Sequence, residues 1–256
     1  IAIISDGSAV LGLGNIGPYA SLPILEGKAM LFKEYAGINV FPIAVKTQNS
    51  FEIINLVKNI SPAFAGVNLE DIAAPRCFEI EEALQDIGIP VFHDDQHGTA
   101  IVLLAALINS SKLAKKDMRS LKVVINGAGA AGTAIANLLL CIGHDRKVCE
   151  PVREVIVVDS HGVISRNRTD IENNPWKMRL ANITNRDNIE GTLEDAMDGA
   201  DVFIGASKAD ALKPEWISKM NEKPIIFAMA NPDPEIMPDV AKKAGAFIVG
   251  TGRSDF

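Results

Sequence analysis

The sequence predicts an α/β chain in two parts, each built on a mainly parallel sheet. Three observations lead there. Short, β-branched, almost continuously apolar runs alternate with helical stretches along all 256 residues, as strands buried on both faces do. About nine such runs are present, too many for one comfortable doubly wound sheet, so the chain is expected to divide. One of them, 121–125, opens directly into a glycine loop and then a helical stretch. In order, strands are expected at 1–4, 40–45, 63–67, 89–92, 121–125, 154–158, 202–204, 225–227 and 247–249. A long helix is expected at 96–116, with the boundary just before it, which gives parts 1–96 and 97–256.

Composition narrows the function classes. Hydrophobic residues make up 48% and charged residues 22%, an ordinary globular balance that argues against disorder. The net charge is −7 and no basic cluster stands out, so nucleic acid is not an expected partner. No apolar run is read as reaching the roughly 18 to 20 residues of a membrane span, so no membrane role is expected. Cys77, Cys141 and Cys149 have no CxxC spacing and leave an odd count. That disfavours a disulfide framework or a zinc ribbon and suits a reducing, cytoplasmic setting. Ile1 opens in mid-strand and Phe256 closely follows another strand-like run, so both ends are expected to be cut.

The loop after 121–125 reads Gly127, Ala128, Gly129, Ala130, Ala131, Gly132 and leads into an apolar helix. The first glycine permits the turn, the second lets backbone approach a pyrophosphate, and the third lets helix pack on strand. The helix N-terminus offers unpaired N–H groups to phosphates. Asp159 ends the next strand, where a carboxylate accepts hydrogen bonds from ribose hydroxyls and repels a 2′-phosphate. It lies farther past Gly132 than the usual roughly 20 residues, the excess falling in the polar stretch 144–153. A Rossmann-type domain binding NAD is therefore expected over 97–256. Arg166 and Arg168 follow closely enough to reach a 2′-phosphate, which keeps NADP as the alternative. A second GxGxxG match, Gly12 to Gly17, is followed by Pro18 and Pro23. It is read as a tight turn or substrate-side loop without a helix.

Two strand-like runs end in paired acids, Glu70 with Asp71 and Asp94 with Asp95. Parallel strands share one carboxyl edge, so four carboxylates would meet there and repel one another without a cation. Oxygen-only ligands suit Mg²⁺ or Mn²⁺. His93 and His97 raise zinc, ranked lower because no thiol accompanies them. Helix capping by Asp71, Asp94 or Asp95 explains the same residues equally well at this level. Lys28 stands in apolar surroundings that would lower its pKa and make a general base, although most such lysines only reach for solvent.

Together these pieces resemble the malic enzyme family, especially its bacterial form. The residues carrying the resemblance are Ser5 to Pro18 (SDGSAVLGLGNIGP), Glu26 to Lys33 (EGKAMLFK), Asn68 to Phe78 (NLEDIAAPRCF), Phe92 to Val102 (FHDDQHGTAIV), Gly127 to Gly132, and Ala228 to Pro232 (AMANP). They run in order along the whole chain. The resemblance implies a catalytic, metal-binding domain over 1–96 followed by the dinucleotide domain. It also implies oxidative decarboxylation of L-malate to pyruvate and CO₂, with reduction of NAD(P)⁺ and a need for Mg²⁺ or Mn²⁺. By position, Lys28 is similar to the family's general base and Asp94 to the acid beside it. Glu70, Asp71 and Asp95 match its metal ligands. Asn231 matches an asparagine at the substrate and nicotinamide, and Thr99 follows the acidic motif towards the same pocket. A homodimer or larger assembly is implied. The chain departs from the family in having Ala9 where some members have arginine. The family's tyrosine acid would lie upstream of Ile1, and neither Tyr19 nor Tyr35 matches it.

Two other functions compete. A malolactic enzyme would use the same scaffold to convert malate to lactate without net reduction of dinucleotide. A non-catalytic dinucleotide-binding module would keep only the glycine loop at work.

Overall fold

The computed structural model describes residues 1–145, 147–253 and 255. The chain forms two compact units, Ile1–Gly98 and Thr99–Phe256. The first contains β1 (Ala2–Ser5), α1 (Gly17–Ala36), β2 (Phe41–Ala44), α2 (Ser50–Ile60), β3 (Val67–Leu69), α3 (Arg76–Glu82), β4 (Val91–His93) and the opening turn of α4 (Asp94–Ala114). Its sheet has the order β2-β1-β3-β4 and is parallel throughout, with Ala2 opposite both Phe41 and Val67, and Val67 opposite Val91. Ala2, Ile3 and Ile4 are fully buried, as a central parallel strand requires. The carboxyl ends of β1, β3 and β4 share one edge, and Asp6, Glu70, Asp71, Asp94 and Asp95 follow them.

Three sequence expectations shift here. The proline-containing segment after Gly17 is helix α1, not a loop. Pro18 sits in its first turn, where no N–H is needed, and Pro23 is accommodated beside the exposed Tyr19 one turn earlier. Residues 61–63 form a 3-10 turn containing Pro62, which moves the third strand from 63–67 to Val67–Leu69. The long helix begins at Asp94, immediately after β4, so both acids lie within its first turn.

The second unit contains β5 (Lys122–Asn126), α5 (Ala130–Leu139), β6 (Glu154–Asp159), β7 (Gly162–Val163), α6 (Pro175–Ile183), α7 (Leu193–Met197), β8 (Val202–Gly205), α8 (Pro214–Ile217), β9 (Ile225–Ala228), α9 (Pro238–Lys243) and β10 (Ile248–Thr251). The order is β10-β9-β8-β5-β6-β7. All neighbours are parallel except β7, which turns back antiparallel on β6 and was not anticipated. From β5 the chain builds outward through β6, then returns to β8 on the other side. The topological switch point lies between β5 and β8. Val123 and Ile125 face one apolar layer with Leu107, Ile135 and Leu180, while Val124 faces another with Leu193, Phe203 and Ile217. That alternation is the two-residue period of a strand covered on both sides.

Two composition-level readings need correction. The 21-residue α4 holds an 18-residue stretch that is apolar enough, by length and composition alone, to cross a membrane. It nevertheless buries Ala100, Leu103, Leu107 and Ala114 in a protein core and opens on Asp94 and Asp95. Cys141 and Cys149 are joined in a disulfide, leaving Cys77 as the free, buried thiol. The turn after α5 brings the two sulfurs together, which their spacing in the sequence did not suggest.

Candidate active site

In the first unit, α1 carries Lys28 to the carboxyl edge of the sheet. Its ammonium donates to Glu70 Oε1 at 3.0 Å and to Asp94 Oδ2. Burial works against the charged amine, but Glu70 and Asp94 outweigh it and raise the pKa to about 12. The sequence expectation of a lysine with a lowered pKa is therefore reversed, and Lys28 is a cation.

Glu70, Asp71 and Asp95 each present a carboxylate oxygen, and these oxygens lie within 4.8 Å of one another. Glu70 is held from behind by Asn68, whose side-chain amide donates to Oε2 at 2.7 Å. Asp71 adopts φ 54°, a left-handed conformation that aspartate tolerates better than most residues. Its N–H donates to Asp95 Oδ2 at 2.9 Å. Burial, then repulsion from Asp95 and Glu70, raises the Asp71 pKa to about 7. Burial is also the main cause raising Asp95 to about 6, and it raises Glu70 as well. Burial is thus the leading cause at all three carboxyls, with mutual repulsion next at Asp71.

The capping explanation fails for Asp71, because α3 does not begin until Arg76. Asp94 is turned to Lys28. The three-carboxylate set is all oxygen, and its spacing fits a hard divalent cation. His93 lies outside that set. Its ring is 3.3 Å from Asp95, and burial lowers its pKa to about 4, so it is neutral.

In the second unit the glycine loop has the geometry its spacing implied. Gly127 has φ 134°, and a Cβ there would lie 2.3 Å from the Ala206 carbonyl oxygen. At Gly132 a Cβ would fall 1.8 Å from the Gly127 carbonyl oxygen, so only glycine lets α5 meet β5 this closely. Gly129 has open space beside it, the condition for close approach by a ligand. It is the N-cap of α5, whose first residues are Ala130 and Ala131. A cavity of about 610 Å³ lies at the start of the loop, lined among others by Gly127, Ala128, Asp159, Ser207 and Trp216.

Asp159 ends β6 at that cavity, but it is already engaged. Arg168 donates to both its oxygens at 2.7 and 3.2 Å, and Lys177 donates to Oδ2 at 2.6 Å. Burial would raise its pKa, yet Arg168 and Lys177 together hold it down at about 2. Arg166 instead donates to the Arg186 carbonyl at 2.9 Å. Thr99, in α4, and Asn231, after β9, are both half-buried.

Three residues escaped sequence reasoning. Lys177 sits on α6, beyond any motif window. Glu81 on α3 accepts from His93, Gln96 and His97. Glu235, fully buried, accepts from the Ser207 N–H at 3.0 Å and the Ala230 N–H at 2.9 Å, tying the ends of β8 and β9 together. A proline-rich surface-like stretch around it hid that role.

Residues 96–252 match the family described as malic enzyme, NAD binding domain, and residues 1–53 match malic enzyme, N-terminal domain. The chain belongs to the malic enzyme family. It is 54% identical to the NAD-dependent malic enzyme of Geobacillus stearothermophilus, covering 100% of this chain and 52% of that one. It is 55% identical to the bifunctional malic/malolactic enzyme of Bacillus subtilis, covering 100% and 60%. The crystal structure of NAD-dependent malic enzyme from Thermotoga maritima superposes with a TM-score of 0.93 at 52% identity, covering 99% of this chain and 66% of that one. The chain thus spans between about half and two thirds of these three malic enzymes, and about a third of longer ones such as the NADP-dependent malic enzyme of Rhizobium meliloti. The fold seen here, a parallel α/β unit followed by a Rossmann-type NAD(P)-binding unit, is that of the malic enzymes.

Proposed function

We propose that this chain carries the acid–base, metal and dinucleotide elements of an enzyme that oxidatively decarboxylates L-malate to pyruvate and CO₂, reducing NAD(P)⁺. One observation carries the proposal: Lys28 is paired to Asp94 and Glu70 beside three carboxylates spaced to share a cation. Glu70, Asp71 and Asp95 would hold Mg²⁺ or Mn²⁺, which when bound supplies Lewis acidity to polarise substrate oxygens. Lys28 is the proposed general base for the malate C2 hydroxyl. Its pKa is held up by Glu70 and Asp94 against burial. A cation on Glu70 would remove one of the two charges that hold the amine protonated and leave burial to favour the neutral base. Asp94 orients the amine and stabilises the ammonium it becomes. Asn231 and Thr99 are proposed to line the substrate and nicotinamide side.

Gly127 to Gly132 are proposed to cradle the pyrophosphate at the start of α5, and Asp159 to accept the adenosine ribose hydroxyls, which favours NAD. Arg168 and Lys177 beside Asp159 supply positive charge that tempers this preference. The Cys141–Cys149 disulfide removes the cysteine argument for a cytoplasmic location. Because nicotinamide dinucleotides are intracellular metabolites, that location nevertheless goes with the proposal. So does a homodimer or larger assembly, supported by the exposed Tyr19, Met30 and Tyr35 of α1.

A malolactic reaction is the second reading, favoured by the 55% identity to a bifunctional malic/malolactic enzyme. The test supplies L-malate, Mn²⁺ and NAD⁺ or NADP⁺ to the full-length protein and quantifies pyruvate, lactate and reduced dinucleotide. Pyruvate matching reduced dinucleotide one to one, abolished by EDTA, supports the first reading. Lactate without net reduction supports the second. Neither product, with dinucleotide still bound, leaves a binding module.

A further inference from the structure

Resting on the metal-site reading above, we propose that Glu81 is a positioning residue that sets metal affinity by clamping the segment that carries Asp94 and Asp95. Glu81 lies on α3 and is 9% exposed. Its Oε1 accepts from the His93 N–H at 2.9 Å and lies 2.8 Å from His97 Nε2, while Oε2 accepts from the Gln96 side-chain amide at 3.1 Å. All three partners fall in residues 93–97. Asp94 and Asp95 lie between the outer two, so one carboxylate grips both ends of the segment that presents them.

The local backbone explains why such a clamp is needed. β4 passes into α4 with no connecting residue. The first N–H groups of a helix have no partner within it, and acids at its start usually cap them. Here those acids are committed elsewhere: Asp94 accepts from Lys28, and Asp95 accepts from the Asp71 N–H at 2.9 Å. Glu81 reaches in from a different helix to satisfy the buried His93 N–H, which would otherwise be left without a partner. Gln85, four residues along, reinforces the arrangement by donating to the carbonyls of Glu81 and Val91. Asp94 and Asp95, whose carboxylates face Lys28 and Asp71, are thereby held at the carboxyl edge.

Outer partners of metal ligands typically govern affinity through placement of the ligands. The test is Mn²⁺ binding to the protein without substrate, read by electron paramagnetic resonance of free Mn²⁺, for wild type, Glu81→Gln and His97→Ala. Dinucleotide affinity and melting temperature are measured on the same samples. Glu81→Gln is expected to weaken Mn²⁺ binding about tenfold and His97→Ala roughly threefold, with dinucleotide affinity unchanged. His97 has 48% of its side chain exposed, so His97→Ala decides the case even where Glu81→Gln fails to fold. Wild-type Mn²⁺ affinity in both variants would overturn the clamp and leave the metal reading intact. Parallel losses of Mn²⁺ affinity, dinucleotide affinity and melting temperature would overturn it in favour of a general folding role. Absence of Mn²⁺ binding by the wild type would sink the metal reading itself, and the clamp with it.

Discussion

Asp71→Asn in the metal-free protein should raise stability at alkaline pH while destroying the metal site. The Asp71 carboxyl has a folded pKa of about 7 against an ordinary 3.8. Between those values the unfolded chain releases the proton and the folded chain keeps it, so stability falls as pH rises, by about 1.4 kcal/mol per pH unit. Above the folded pKa the loss is complete. From pH 5 to pH 8 the wild type should therefore lose on the order of 2 to 3 kcal/mol through this group alone. Asn does not titrate, so the difference between variant and wild type should grow by that amount over the same interval. Urea unfolding in EDTA at the two pH values measures it. Saturating Mn²⁺ should reverse the order by stabilising only the wild type. Stability curves that run parallel across this range in EDTA would refute the assignment of a trapped, protonated Asp71.

Other perturbations separate the remaining roles. Gly132→Ala forces a Cβ to within 1.8 Å of the Gly127 carbonyl and should cost roughly 3 kcal/mol or more by overpacking, seen as a lowered melting temperature. Gly129→Ala meets nothing within 4 Å, so it should melt like the wild type yet bind dinucleotide at least about tenfold more weakly in a fluorescence titration. Lys28→Ala should lower malate turnover by about a hundredfold or more with dinucleotide affinity unchanged, and equal losses in both would argue against a base. Titrated after denaturation without reductant, the protein should expose one thiol, Cys77; three thiols would contradict the Cys141–Cys149 bond.

The parts legible in the sequence were those whose chemistry is local. The glycine loop declared itself because turn, ligand approach and helix packing fall within six consecutive residues between a strand and a helix. The acids were legible as candidates because strand ends carry ligands in parallel sheets. Whether they bound a cation or capped helices was not, since that depends on where α3 starts and where Asp94 points. Lys28 was misread electrostatically: its sequence neighbours are apolar, but Glu70 and Asp94 come from 42 and 66 residues away. Lys177 and Glu81 left no local trace, because each acts across elements on a residue outside its own motif. The prolines of α1 misled for the opposite reason. A rule sound for helix interiors does not apply in the first turn, and Pro23 shows that an exposed helix can absorb a second proline.

The most direct measurement is the yield of pyruvate and reduced dinucleotide from L-malate with Mn²⁺, for the full-length wild type and its Asp95→Asn variant side by side. Wild type is expected to form the two products one to one, and Asp95→Asn to form neither while still binding dinucleotide. Equal, EDTA-resistant turnover in both proteins would contradict a catalytic site built on Glu70, Asp71 and Asp95.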